Sequence, residues 1–94
     1  MYIVSLTYTQ PLDAVDAHLE GHLAWLDRYF QDGTFMAAGR KNPRNGGVVL
    51  AQGVSREELD RILSEDPFQA VARYEVTTLE VTLTNAQLAC LKGL

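Results

Sequence analysis

Residues 18–30 read His-Leu-Glu-Gly-His-Leu-Ala-Trp-Leu-Asp-Arg-Tyr-Phe, and the direction in which this stretch faces governs the reading of the whole chain. At about 100° per residue, the turn of an α-helix, Val15, Leu19, Leu26 and Phe30 share one face. His22 falls near the middle of that face, where a leucine is expected, and His18 and Trp25 lie on its margin. An amphipathic helix turns its apolar stripe inward, so a titratable ring is aimed at the interior. That ring is either a hydrogen-bonded core residue, the commoner fate of a buried histidine, or an acid–base group.

Working outward, residues 2–9 (Tyr-Ile-Val-Ser-Leu-Thr-Tyr-Thr) alternate in polarity and are rich in β-branched and aromatic side chains, as a strand requires. Pro11 suits the first turn of the helix, which runs to about residue 31 and stops at Asp32-Gly33. Residues 34–40 read as a second strand. Asn45-Gly46-Gly47 is a hairpin signal, and residues 47–52 form a third, apolar strand of the kind found at the centre of a sheet. Ser55 and Glu58 fit a capping box opening a second helix, with Leu59, Ile62 and Leu63 inward and its end by residue 65, before Asp66-Pro67. Residues 68–72 allow one short turn. Residues 73–84 read as a long strand whose phase shift near Thr77-Thr78 predicts a bulge. Residues 85–94, with Leu88, Leu91 and Leu94 at helical spacing, form a short tail.

The order β-α-β-β-α-β predicts an α+β, ferredoxin-like domain over residues 1–94, with two helices on one face of a four-stranded antiparallel sheet. The other face is left open. A 94-residue chain has room for one core and gains from extra burial, so a homodimer closing that face is expected. Apolar residues at 47% and charged residues at 21% fit an ordinary soluble protein. A net charge of −4 speaks against nucleic acid or an anionic membrane as partner, although one arginine suffices for a small anion. Neither a basic-then-apolar leader nor a membrane-length apolar run is present, and the expected location is the cytoplasm. Cys90, the single cysteine, reads as an apolar filler.

If one ring nitrogen of His22 meets a carboxylate, the other becomes a base able to take a proton from a ligand. Asp66 is the leading partner, and it is equally well placed as the N-cap of a turn beginning at Pro67. The two roles are compatible if one carboxylate oxygen caps while the other faces the cavity. Phe68 is expected to wall the same region. Gly39 permits close approach of a ligand or another backbone, and Arg40 is either a clamp for a carboxylate or phenolate or a solvated strand-end charge. His18 and His22 have the i, i+4 spacing of a helical metal pair, but no third ligand accompanies them, so no metal is expected. No cofactor fingerprint occurs.

With His22, Leu23 and Leu26, Gly33, Gly39, Gly47 and Asp66-Pro67-Phe68 in view, the chain resembles the YciI-like (YCII-related) family from the first strand to about Val81. The resemblance implies a dimeric α+β barrel of ferredoxin-like subunits. It also implies a pocket in each subunit where the helical histidine and the Asp-Pro-Phe aspartate meet, here His22 and Asp66. A branch of that family is associated with dehalogenating elimination on hydroxylated aromatic rings. Two departures stand out, and both are expected at the pocket rim. Arg40 replaces the usual proline after Gly39, and Gln69-Ala70-Val71-Ala72 lacks the usual glycine.

The expected function is cofactor-free acid–base chemistry (elimination, isomerisation or a lyase-type step) on a small anionic or aromatic molecule. His22 is the base, Asp66 its orienting partner, and Arg40, Phe68 and Gly39 contact the substrate. The alternatives are a non-catalytic metabolite-binding module and a structural dimerisation domain.

Overall fold

The alternation in the first strand sets the two faces of the sheet in the computed structural model, which describes residues 1–94. β1 (Tyr2–Tyr8) buries Val4 and Leu6 and leaves Ile3, Ser5 and Thr7 half-exposed on the other side. β2 (Phe35–Arg40), β3 (Gly46–Ala51) and β4 (Ala72–Thr78) join it in the order β2-β3-β1-β4, every pair antiparallel. Helices α1 (Leu12–Asp16), α2 (Leu19–Gln31) and α3 (Arg56–Ser64) complete the α+β, ferredoxin-like arrangement, with 3₁₀ turns at Pro67–Ala70 and Ala86–Leu91. One core joins Val4, Leu6, Val49 and Ala51 of the sheet to Trp25, Tyr29, Leu59 and Ile62 of the helices. No helix is long and apolar enough to cross a membrane.

The expected single helix ending near residue 31 is two helices. His18 leaves helical geometry (φ −106°, ψ 3°) and α2 starts afresh after it, so a 100° count carried from Val15 across the break misplaces the inner face. Trp25 and Tyr29, not Leu26 and Phe30, are the buried residues of α2, and Phe30 is 39% exposed. The large aromatics go deepest because they fill most volume there and satisfy their polar tips. Trp25 Nε1 donates to the Ile62 carbonyl at 3.0 Å, its ring meets Phe35 edge-on at 5.0 Å, and the Tyr29 hydroxyl donates to Glu65. His22 precedes Trp25 by three residues and so stays on the inward side of the rotated face.

The capping box is half-formed. Ser55 Oγ accepts the Glu58 N–H at 3.1 Å, but the Glu58 carboxylate turns to Arg61 at 3.3 Å instead of reaching back. The last strand stops at Thr78, without a bulge. β1 begins at Tyr2, so beyond the paired Met1 and Leu79 backbones the chain has no neighbour to bond. Leu83 is accordingly 87% exposed. Cys90 is exposed on the terminal 3₁₀ turn and fills no core space.

Glycine is required at the start of β3 by close strand approach. A Cβ on Gly46 would lie 1.8 Å from the Leu6 carbonyl oxygen, and one on Gly47 would lie 2.9 Å from that of Gly39. β3 is thereby brought close to β1 at Leu6 and to β2 at Gly39.

Candidate active site

The Asp66-Pro67 step does local work first. Proline disfavours helical geometry in the residue before it, and Asp66 is extended (φ −71°, ψ 124°), the N-cap of the 3₁₀ turn. Its Oδ1 accepts the Phe68 N–H at 3.0 Å. The same oxygen lies 2.8 Å from His22 Nδ1, reached from α2. Oδ2 accepts the Tyr74 hydroxyl of β4 at 2.5 Å. The expected division, one oxygen capping and the other facing the cavity, is therefore not what the structure has. Oδ1 serves the cap and the histidine together, Oδ2 is taken by Tyr74, and Asp66 itself is 2% exposed.

His22 is held on several sides. One edge is on Asp66, and one face lies parallel to Phe68, ring centres 3.8 Å apart with an interplanar angle of 3°. Trp25 is tilted against it at 5.6 Å. A carboxylate only accepts hydrogen bonds, so Nδ1 carries a proton toward Asp66, and in the neutral ring the free lone pair is then on Nε2. His22 lines a cavity of about 390 Å³, and its side chain is 12% exposed. That size suits a small organic molecule.

The cavity lies between α2 and the β2–β3 half of the sheet. Leu19, Leu23 and Leu26 make its helical wall, and Phe68 and Tyr8 its inner end, Tyr8 edge-on to Phe68 at 5.9 Å. Gly39 and Arg40 line it from the end of β2, where Arg40 is exposed and in no ion pair, and a Cβ on Gly39 would meet nothing within 4 Å. Arg44, from the loop between β2 and β3, lines it too and is anchored by Asp16 at 2.6 Å. That hydrogen bond is the main reason the Arg44 guanidinium is held above its ordinary pKa. Its Nε is buried and has no partner.

Tyr74 is pushed far above the usual phenol range, first by burial and then by its hydrogen bond to Asp66 and the charge there. Its hydroxyl is therefore a lasting donor. His18 sits at the start of α2, makes no capping bond and does not line the cavity. No group of three or more His, Cys, Asp or Glu side chains converges anywhere in the chain.

Tyr74, Tyr8 and Arg44 were not legible as site residues in the sequence. Alternation with Val76 puts Tyr74 on the inner sheet face, but only the packing of β4 against the 3₁₀ turn shows where its hydroxyl goes. The departure at residues 69–72 does not reach the rim as expected, since of the residues after Pro67 only Phe68 lines the cavity.

Residues 1–81 match the YCII-related domain. The chain belongs to the YCII-related family. A solved structure similar to this YCII-related chain is 5-chloro-2-hydroxyhydroquinone dehydrochlorinase (TftG) from Burkholderia phenoliruptrix AC1100, in complex with 2,5-dihydroxybenzoquinone. The likeness has a TM-score of 0.68 at 17% identity and covers 84% of this chain and 93% of that one, which is a likeness of fold. No curated protein matches the chain significantly in sequence.

Proposed function

We propose that this chain is an enzyme performing cofactor-free acid–base chemistry on a small anionic or aromatic molecule, with His22 as general base and Asp66 as its orienting partner. One observation carries the reading: an imidazole fixed by a buried carboxylate at 2.8 Å lines a largely apolar cavity of about 390 Å³. Nε2 accepts a proton from a C–H or O–H of the ligand, and Asp66 stabilises the imidazolium that forms. The electron pair left on the ligand either expels a leaving group, an elimination, or is reprotonated elsewhere, an isomerisation. Arg40 at the rim, with Arg44 lining the same cavity, offsets negative charge on the ligand, while Phe68 and the α2 leucines hold its apolar faces and Gly39 leaves room at the edge.

Two further facts support this choice of chemistry. The dehydrochlorinase with the similar fold is named for an elimination on an oxygenated ring, and it is seen with a planar dihydroxyquinone. The cavity here combines aromatic and aliphatic walls with two guanidinium groups, a fit for the same class of molecule. The chain works as a homodimer, its open sheet face covered by a second copy.

The test is turnover of chlorinated and unchlorinated hydroxyhydroquinones by wild type and His22→Asn, which keeps a donor toward Asp66 and removes the base. The expected result is a loss of at least about 100-fold in kcat/KM with the melting temperature nearly retained. Thermal stabilisation by these compounds without chemical change in them would instead make the site a metabolite-binding one.

A further inference from the structure

We propose that Tyr74 is a positioning residue of this site, holding Asp66 Oδ2 so that the carboxylate keeps its orientation and a fixed share of its charge toward His22. The inference rests on the reading of His22 and Asp66 as a working pair and adds a third member from β4. Tyr74 does not line the cavity and touches the chemistry only through Asp66.

Three donors converge on this carboxylate: the Phe68 N–H at 3.0 Å and His22 Nδ1 at 2.8 Å on Oδ1, and the Tyr74 hydroxyl at 2.5 Å on Oδ2. Asp66 is 2% exposed, so water does not stand in for a lost partner. The Phe68 donor is fixed by the proline turn and the His22 ring by its stacking on Phe68. Tyr74 alone holds the far oxygen. Its place is set by the ladder, because β4 pairs Tyr74 with Leu6 of β1, on the face toward the helices. With Tyr74 bonded, negative charge is shared over both oxygens. Without it, charge concentrates on Oδ1, and the His22–Asp66 pair binds its shared proton more tightly whichever of the two carries it.

A tyrosine that merely satisfies a buried acceptor would alter stability alone. A positioning tyrosine also alters how His22 takes up its proton, and this is measurable without knowing the substrate. The chain has two histidines, so ¹⁵N-histidine NMR across pH follows both rings in one sample, with His18 as internal control. The other ionisable or charged groups lining the cavity with His22 are Tyr8, Arg40 and Arg44, and the substitutions leave all three in place.

In Tyr74→Phe the His22 titration midpoint is expected to move upward by about half a pH unit or more, the scale of one hydrogen bond to a charged group, while His18 does not move. Asp66→Asn moves the His22 midpoint the other way. If Tyr74→Phe leaves the His22 curve on that of wild type while Asp66→Asn shifts it, the inference fails and the pair survives. If neither variant shifts it, the pair fails as well. Should Tyr74→Phe not fold, 3-fluorotyrosine placed at position 74 alone makes that phenol a stronger donor and leaves Tyr8 unchanged, and the midpoint must then fall. An unmoved midpoint there overturns the inference equally.

Discussion

Asp66→Ala withdraws one acceptor from three donors at once, the Phe68 N–H, His22 Nδ1 and the Tyr74 hydroxyl. The Phe68 N–H is then buried without a partner, the part-buried His22 and Tyr74 donors lose theirs, and the turn loses its cap. The expected cost is about 3 kcal/mol or more, read from urea unfolding midpoints at constant m. Asp66→Asn is milder, about 1 kcal/mol, because its carbonyl can keep Oδ1's two donors while its amide turns to the tyrosine oxygen. Equal losses for the two variants would show that these bonds contribute little. Tyr74 also shapes the alkaline limit. Its phenol is raised above the ordinary value of about 10, so the unfolded chain gives up that proton before the folded one does. Stability from this group is complete below about pH 10 and declines above it. Tyr74→Phe should flatten that decline in unfolding measured between pH 8 and 11, whereas an unchanged slope would assign the decline elsewhere. At this scale His22 and Asp66 could be read from sequence because each carried a local signal. A histidine stood in an apolar stripe, and Asp-Pro marked a cap. Tyr74 carried none, since a strand tyrosine is ordinary until its hydroxyl has a destination.

The element that was hardest to read is the helical stretch beginning after Pro11, because periodicity assumes continuity. Nothing in the pattern of Val15, Leu19 and Leu26 marks the break at His18, and the same residues fit a single helix until α2 is found rotated toward Trp25 and Tyr29. The strands were easier to assign, since alternation reports the face directly, and the early stop of β4 follows from where β1 begins. The paired glycines of β3 read only as a hairpin signal, and the geometry adds a close approach of strands. Gly46→Ala would drive a methyl into the Leu6 carbonyl, a 1.8 Å approach, against 4 Å of open space at Gly39. Gly46→Ala should therefore cost about 3 kcal/mol or more and lower the melting temperature steeply. Gly39→Ala should melt with wild type. If Gly39→Ala nevertheless weakens ligand binding, that glycine is there for the ligand and not for the fold. Matching melting curves for the two variants would contradict the close approach of β1 and β3.

At the scale of the molecule, the sheet has one face under the helices and one without cover in a single chain. The register places Ile3 opposite Leu50 and Thr77, Ser5 opposite Val48 and Glu75, and Thr7 opposite Arg73, so these residues share the open side. Its centre, Ile3 with Leu50 and Val48, is apolar, and the β4 edge carries Arg73 and Glu75. An apolar centre rimmed by charge is the usual layout of a protein interface. A two-fold pairing of identical sheets would let each copy's Arg73 approach the other's acidic edge. Leu50→Glu tests the homodimer, because Leu50 lies on the open face and is not part of the buried core. A charge there is solvated in the monomer and costs little, but in a dimer it is buried against a second apolar face without a partner. Light scattering should show a dimer for wild type and a monomer for Leu50→Glu, with the circular dichroism spectrum unchanged. A wild type that is monomeric at tens of micromolar would remove the homodimer from the proposal. Sequence could indicate this face only as apolar residues left over once the helices were assigned, since no single chain contains its own partner.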